Sequence, residues 1–272
     1  MVGRNPRAAE VTKVRIESMM IRLFSGAATA ALLVAAGPAA AAVITIDTFD
    51  TPQTTFDRPA PSEGAPQGSE IAAAEAIGGY RDMYVETDAK GRLGATSLVA
   101  GSDPQSPADG ILSFNNEDGV TGRGWVTYDG QDGGFLPNEV NINGLGGLDL
   151  WTGPIGGGFF FDVLRVDADL FAGITAYDTS GQTTSFGGTV VESGTPFAAF
   201  TDFDNPDFNW NSVGALQFFA QSGVNSDVIS LDGAISSITV NTGVVPIPAA
   251  GFLLLAGIGG LSIAGRRRRK AA

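Results

Sequence analysis

Between Val43 and Val240 the chain reads as short apolar segments separated by turn residues. Leu164, Val166 and Ala168 alternate with Arg165, Asp167 and Asp169, the period of a half-buried strand. Phe159-Phe160-Phe161 is a continuous apolar run that suits a buried central strand. Phe171–Tyr177 and Gln182–Val191 flank Asp178-Thr179-Ser180-Gly181 and predict a hairpin. Further strands are predicted at Val43–Asp47, Arg81–Glu86, Ser97–Ala100, Ile111–Asn115, Gly124–Tyr128, Thr195–Phe200, Val213–Gln221, Val228–Leu231 and Ile235–Val240. Thr51–Ser69, rich in Pro, Gly, Ser and Thr, reads as one long loop. Ile71–Ile77 carries helix-friendly alanines, but Gly78-Gly79 limits it to one turn or a strand lead-in. Dense glycine from Gly144 to Gly158 means bends and close backbone approach. About a dozen short strands without a long helix predict an all-β fold, an antiparallel two-sheet β-sandwich.

The ends have a different texture. Met1–Ser18 is polar, mixed in charge and aperiodic, and reads as lying before a translated start at Met19 or Met20. Arg22, the apolar stretch Ala27–Ala36 and the Gly37-Pro38 break then form an export signal. Ala40 and Ala42 meet the small-x-small rule of signal peptidase, so residues 1–42 are the expected leader and Val43 the mature start. The expected body spans residues 43–243, and the tail residues 244–272.

In that tail, Val245-Pro246-Ile247-Pro248-Ala249 comes first. Proline fixes φ and lacks an amide hydrogen, so this entry is extended and a helix starts after Pro248. Ala249–Gly265 follows as an apolar helix of 17 residues, a length of ~25 Å at the short end of a membrane span. Arg266, Arg267, Arg268, Arg269 and Lys270 then act as a topology stop that holds the C-terminus in the cytoplasm. This ordered tail resembles the PEP-CTERM sorting signal of Gram-negative bacteria in its VPLPA-type variant, with Ile247 in place of Leu. The resemblance implies an exosortase-type transpeptidase as partner and a transient stay in the inner membrane. The cell surface or extracellular matrix is the implied destination.

Charge narrows the choice of partners. The chain carries 29 acidic and 16 basic residues, a formal net charge of −13. Two of the acids and ten of the cations lie in the terminal segments, which leaves 27 against 6 in the body, a charge of −21. A body this acidic repels nucleic acid and anionic membrane surfaces. The chain has no Cys and no His. Disulfides, conventional zinc sites, cysteine nucleophiles and Ser-His-Asp triads are therefore excluded.

A second resemblance is to galactose-binding-like jelly-roll domains. Its residues are Gly79-Tyr80-Arg81-Asp82, Thr127-Tyr128-Asp129-Gly130 and Asn211-Ser212-Val213-Gly214-Ala215-Leu216-Gln217-Phe218. It implies a jelly-roll body with a structural calcium near the meeting of the chain ends, held by Asp47 or Asp50 with Asp232. From the residues alone, Asp202, Asp204 and Asp207 form a second candidate calcium loop, since calcium takes six to eight oxygens. Asp167 and Asp169 read as a solvated strand face. Exposed aromatic rings stack on sugars, and Trp210 between Asn209 and Asn211 is the foremost candidate, with Trp151 beside it. Trp125, in a strand, is expected in the core, and Tyr128 is a further candidate. The body is expected to be a non-catalytic adhesion or carbohydrate-binding sandwich for an exopolysaccharide. A glycan-active hydrolase using paired carboxylates and a purely structural surface protein are the alternatives.

Overall fold

A computed structural model describes residues 43–58, 67–88, 94–102, 109–117, 119–151, 157–167, 170–222 and 231–241. The expected leader, its cleavage site at Ala40 and Ala42, and the whole sorting tail lie outside the described residues, as do Asp169 and most of Val228–Leu231. Among the described residues no helix is long and apolar enough to cross a membrane.

The body is an antiparallel two-sheet β-sandwich. The strands are β1 (Val43–Asp47), β2 (Gln53–Asp57), β3 (Gly68–Ala72), β4 (Tyr80–Asp88), β5 (Thr96–Ser102), β6 (Asp109–Asn116) and β7 (Thr121–Tyr128). They continue as β8 (Gly158–Val166), β9 (Leu170–Asp178), β10 (Thr183–Val190), β11 (Phe197–Ala199), β12 (Val213–Gln221) and β13 (Leu231–Asn241). One sheet has the order β11-β8-β13-β6-β5-β2, with β1 also paired to β13. The other has the order β10-β9-β12-β7-β4-β3.

Alternation assigns the two faces of the six-stranded sheet. Met83 and Val85 in β4, Val126 and Tyr128 in β7, Ile174 and Ala176 in β9, and Leu216 and Phe218 in β12 are buried in the core between the sheets. Their neighbours Asp82, Tyr84, Trp125, Thr127, Gln217 and Phe219 therefore point to the outer face. Phe159 anchors an aromatic cluster in the core, edge-on to Phe200 at 5.7 Å and 6.0 Å from the Trp210 ring. A cavity of about 230 Å³ also lies in this interior, lined by Leu98, Phe114, Phe161 and Ile174 among other apolar side chains, with Arg165.

One element departs from the sequence reading and its neighbour follows it. The expected Thr51–Ser69 loop contains β2, which pairs with β5 from Gln53↔Ala100 to Asp57↔Thr96, and it runs into β3. Thr54-Thr55-Phe56 are good strand formers, and Gln53 carries a structural hydrogen bond: its Oε1 accepts from Arg81 Nε at 2.9 Å. Ile71–Ile77 resolves into the end of β3 and the start of a short 3₁₀ turn at Ile77–Gly79, where Gly78 has φ 78°.

Candidate functional site

Strand register collects a row of rings on the outer face of the six-stranded sheet. Tyr84 lies opposite Trp125, and Trp125 opposite Phe219. The Tyr84 and Trp125 rings are 5.7 Å apart at 48°, and Phe219 and Phe171 are 5.8 Å apart at 39°. Trp125, Tyr84, Phe219 and Phe171 are all half-buried.

Glycines make room for these rings. A Cβ on Gly173 would come within 2.4 Å of Phe219 Cε1, and one on Gly187 within 3.0 Å of Phe171 Cζ. Gly68 does the same for Phe135, whose Cδ2 would lie 2.4 Å from such a Cβ. Phe135 remains 37% exposed. Phe135, Phe219 and Phe171 thus lie over bare backbone, and the whole row extends from β3 to β9, four strand spacings or ~19 Å.

Polar groups run beside the rings. Glu70, Asp82, Thr127, Gln217, Thr175 and Ser185 share one register across the sheet. Gln217 Nε2 donates to Thr127 Oγ1 and to the Pro137 carbonyl, both at 3.1 Å, which ties the loop after β7 to this face. Thr175 and Ser185 hydroxyls are 3.2 Å apart. A shallow depression near them is lined by Phe171, Phe219, Gly187 and Asp204.

At the β3–β4 end of the row the carboxylates gather. Glu70 lies directly opposite Asp82, and the loop after β7 brings Asp129 and Asp132 to them. Glu70 Oε2 accepts the amides of Asp132 at 2.8 Å and Gly133 at 2.9 Å. Asp132 Oδ1 accepts the Gly134 amide at 2.7 Å, and Asp129 Oδ2 the Asn141 amide at 2.7 Å. Asp82 is 3% exposed and Asp129 2%. Burial, then the hydrogen bond and charge of Asp129, then Glu70 and Asp132, push the Asp82 carboxyl up to about 9. Burial also raises Asp129. Burial and the Asp129 charge raise nearby Tyr177.

The candidates named from the sequence are distributed differently. Trp210 is 6% exposed and packs at 4.2 Å from the Phe200 ring, so it is a core residue. Its asparagine neighbours serve the backbone instead: Asn209 Oδ1 accepts the Asn211 amide at 3.2 Å. Trp151 packs against Phe200 at the margin of the core and is not part of the ring row. Tyr128 is fully buried and donates to Asp47 Oδ2 at 2.8 Å. Trp125, expected inside, is the tryptophan on the outer face, because Arg123, Trp125 and Thr127 alternate with the buried Gly124, Val126 and Tyr128.

The expected calcium ligands do not converge. Asp50 is next to Gly110, while Asp232 pairs with Asn115, five residues further along β6, a distance of ~16 Å. Asp50 Oδ2 accepts the Thr48 hydroxyl at 2.7 Å. Asp232 is bound through its amide to Asp167 Oδ1 at 2.8 Å. Asp47 is committed to a buried ion pair with Arg81 at 3.0 Å. Asp204 Oδ1 accepts the Ser185 amide at 2.8 Å and the Thr184 hydroxyl at 3.1 Å, and Asp202 is exposed in a 3₁₀ turn. Among the described residues the acidic groups close enough to share a metal ion are Glu70, Asp82 and Asp132. No local spacing announces them, since β3, β4 and a loop supply one each.

Comparison with protein-family models gives no match, and comparison with curated proteins gives none. Among solved structures, the family 11 carbohydrate-binding module of a cellulosomal cellulase of Clostridium thermocellum superposes with TM-score 0.34 at 11% identity, over 74% of this chain and 95% of that one. PfGH50B gives TM-score 0.34 at 11% identity, over 61% of this chain and 23% of that one. TmCBM61, solved with β-1,4-galactotriose, gives 0.29 at 11% identity, over 58% and 86%.

Proposed function

We propose that this is an exported surface protein whose sandwich binds polysaccharide on the outer face of its six-stranded sheet. The observation that carries the reading is the half-exposed ring row Tyr84, Trp125 and Phe219, with Tyr84 beside Gly68 and Phe219 over Gly173, next to the hydroxyls of Thr175 and Ser185. Apolar ring faces match the C–H face of a pyranose. The half-buried hydroxyls of Thr175 and Ser185 offer hydrogen bonds that fix orientation. The apolar interior cavity lacks that mixture and is not the proposed sugar site. The face is strongly acidic at one end, which favours neutral or cationic glycans over anionic ones.

Delivery to the surface rests on the tail. Its Pro-x-Pro entry, apolar segment and cation run support sorting by an exosortase-type enzyme after signal peptidase has acted. Replacing Pro246 and Pro248 with alanine should stop processing and leave precursor in the inner membrane, as read by immunoblots of cell fractions. Normal processing of that variant would overturn the sorting reading.

Binding is tested with affinity electrophoresis of the full chain against soluble neutral polysaccharides. Wild type should be retarded by at least one of them, and Trp125→Ala should weaken that retardation about tenfold. Equal mobility of wild type with and without every polysaccharide would overturn the reading.

The carboxylates favour a second reading, glycan hydrolysis. The oxygens of Glu70, Asp82 and Asp132 lie within 4.8 Å of one another, close to the ~5–5.5 Å of retaining pairs. Asp82, held protonated at neutral pH, would be the acid and Glu70 the nucleophile. Burial of Asp82 at 3% exposure opposes this role, because the acid must reach a glycosidic oxygen. Release of reducing ends by wild type and its loss in Asp82→Asn would establish hydrolysis. No release from any polysaccharide that binds leaves the binding reading.

A further inference from the structure

We infer that Glu70, Asp82 and Asp132 form a divalent-cation site of the calcium type at the β3–β4 end of the sheet. The inference does not depend on glycan binding. Its first support is convergence: the three carboxylates present oxygens within 4.8 Å of one another. Glu70 and Asp82 face each other directly across the strand pair, where like charges destabilise a sheet.

The second support is independent of that clustering. Asp82 Oδ1 is buried and receives no backbone amide, side-chain amide, guanidinium or hydroxyl donor, and Asp129 Oδ1, on a residue outside the group of three, is in the same condition. Buried polar atoms are ordinarily hydrogen-bonded, and a buried charge left alone is costly. Without a cation only a proton shared between the two carboxyls can satisfy them, and a divalent cation beside them would take that proton's place.

The surrounding bonds leave room for one. Glu70 Oε2 is taken by the amides of Asp132 and Gly133, and Asp132 Oδ1 by the Gly134 amide, so each residue keeps a second oxygen. The donors are all oxygen, and the chain has no His or Cys to favour a softer ion. Calcium accepts such a set with irregular geometry and completes its shell with water or carbonyls. A cation here would clamp the Asp129–Gly134 loop onto β3. That loop leads into Phe135, the ring over Gly68, so the clamp would fix one border of the ring row.

The test uses the full chain in a mild detergent after treatment with chelator. Calcium chloride should raise the melting temperature with a midpoint of about 10⁻⁴–10⁻³ M, as for extracellular calcium modules. Sodium chloride at equal ionic strength should not. Terbium should occupy the same site and luminesce on excitation of tryptophan, since Trp125 lies on the adjacent row. Asp82→Asn, which keeps the shape of the neutral carboxyl and cannot ionise to meet a cation, should fold in chelator and lose both responses. Asp132→Ala, an exposed loop change, should lose them too and decides the matter if Asp82→Asn does not fold. Absence of a calcium-specific rise in wild type, with the Asp82–Asp129 pair merely sharing a proton, would overturn the inference. So would a rise of equal size and midpoint in Asp132→Ala.

Discussion

Arg81 Nη1 and Asp47 Oδ2 meet at 3.0 Å with both side chains fully withdrawn from solvent, and the contact joins the two sheets. Arg81 belongs to β4 of the six-stranded sheet and Asp47 to β1 of the seven-stranded one. Asp47 also accepts from the Phe49 amide at 2.7 Å and the Tyr128 hydroxyl at 2.8 Å. Such satisfaction on all sides is what allows a buried pair to persist.

Removing Asp47 strips Arg81 of its fully buried partner and leaves it Glu75, at 3.6 Å and partly open to solvent, as well as leaving the Tyr128 hydroxyl without its acceptor. Asp47→Ala should cost about 3–5 kcal/mol of folding stability in urea titrations. Arg58→Ala should cost under about 1 kcal/mol, because its pair with Glu117 is exposed. Equal losses in the two variants would contradict the assignment of a structural role to the buried pair.

The two tryptophans should separate stability from binding. Trp210→Ala empties a site among Phe159, Phe200 and Phe203 and should cost about 3–5 kcal/mol. Trp125→Ala removes a half-buried outer ring and should cost about 1 kcal/mol while abolishing most polysaccharide retention. Parallel denaturant melts and affinity gels on both variants check the pair of outcomes.

In chelator, stability should depend on pH through Asp82. Its carboxyl is raised from 3.8 to about 9 by burial and by the neighbouring carboxylates, so the folded state holds the proton more tightly than the unfolded chain. This contribution favours the fold most below about pH 4, declines as pH rises through the window up to about 9, and is then fully lost. Melting temperatures measured from pH 5 to 9 should fall across that range in wild type and much less in Asp82→Asn. A slope unchanged by the substitution would place its origin elsewhere.

Two glycines should respond differently to alanine. A Cβ on Gly144 would lie 1.3 Å from the Asp129 carbonyl oxygen, backbone against backbone, so Gly144→Ala must displace the loop that carries Asp132. A Cβ on Gly187 comes within 3.0 Å of the outer end of the Phe171 ring, which can swing aside, and no closer than 3.6 Å to backbone. Gly144→Ala should therefore lower the melting temperature clearly. Gly187→Ala should keep the fold and weaken polysaccharide retention.

The sandwich itself was legible because alternation and turn residues are local signals. Gly124–Tyr128, Phe171–Tyr177 and Val213–Gln221 are strands where the pattern puts them. β2 was hidden because Gln53–Asp57 is short and sits among Pro, Gly and Ser, and its pairing with β5 is supplied by residues 39 to 47 positions away. Trp125 was legible in principle: its polar partners at positions 123 and 127 share its face. Trp210 was not, since its Asn neighbours resemble an exposed turn whether the ring points in or out. The carboxylate group escaped notice because Glu70, Asp82 and Asp132 share no spacing and meet only through strand register and loop return.

The first strand of the body pairs with the end of the last, Val43 opposite Asn241. β13 is bonded to β8 along most of its length, and on its other side first to β6 and then to β1. A force drawing Asn241 away along the strand would load these ladders in shear, so many backbone hydrogen bonds would share the tension before any one gave way. Peeling an edge strand breaks them in succession. For a domain held by its C-terminal segment against flow, detachment would be governed by the rate of forced unfolding, and β13 is the strand through which that load enters.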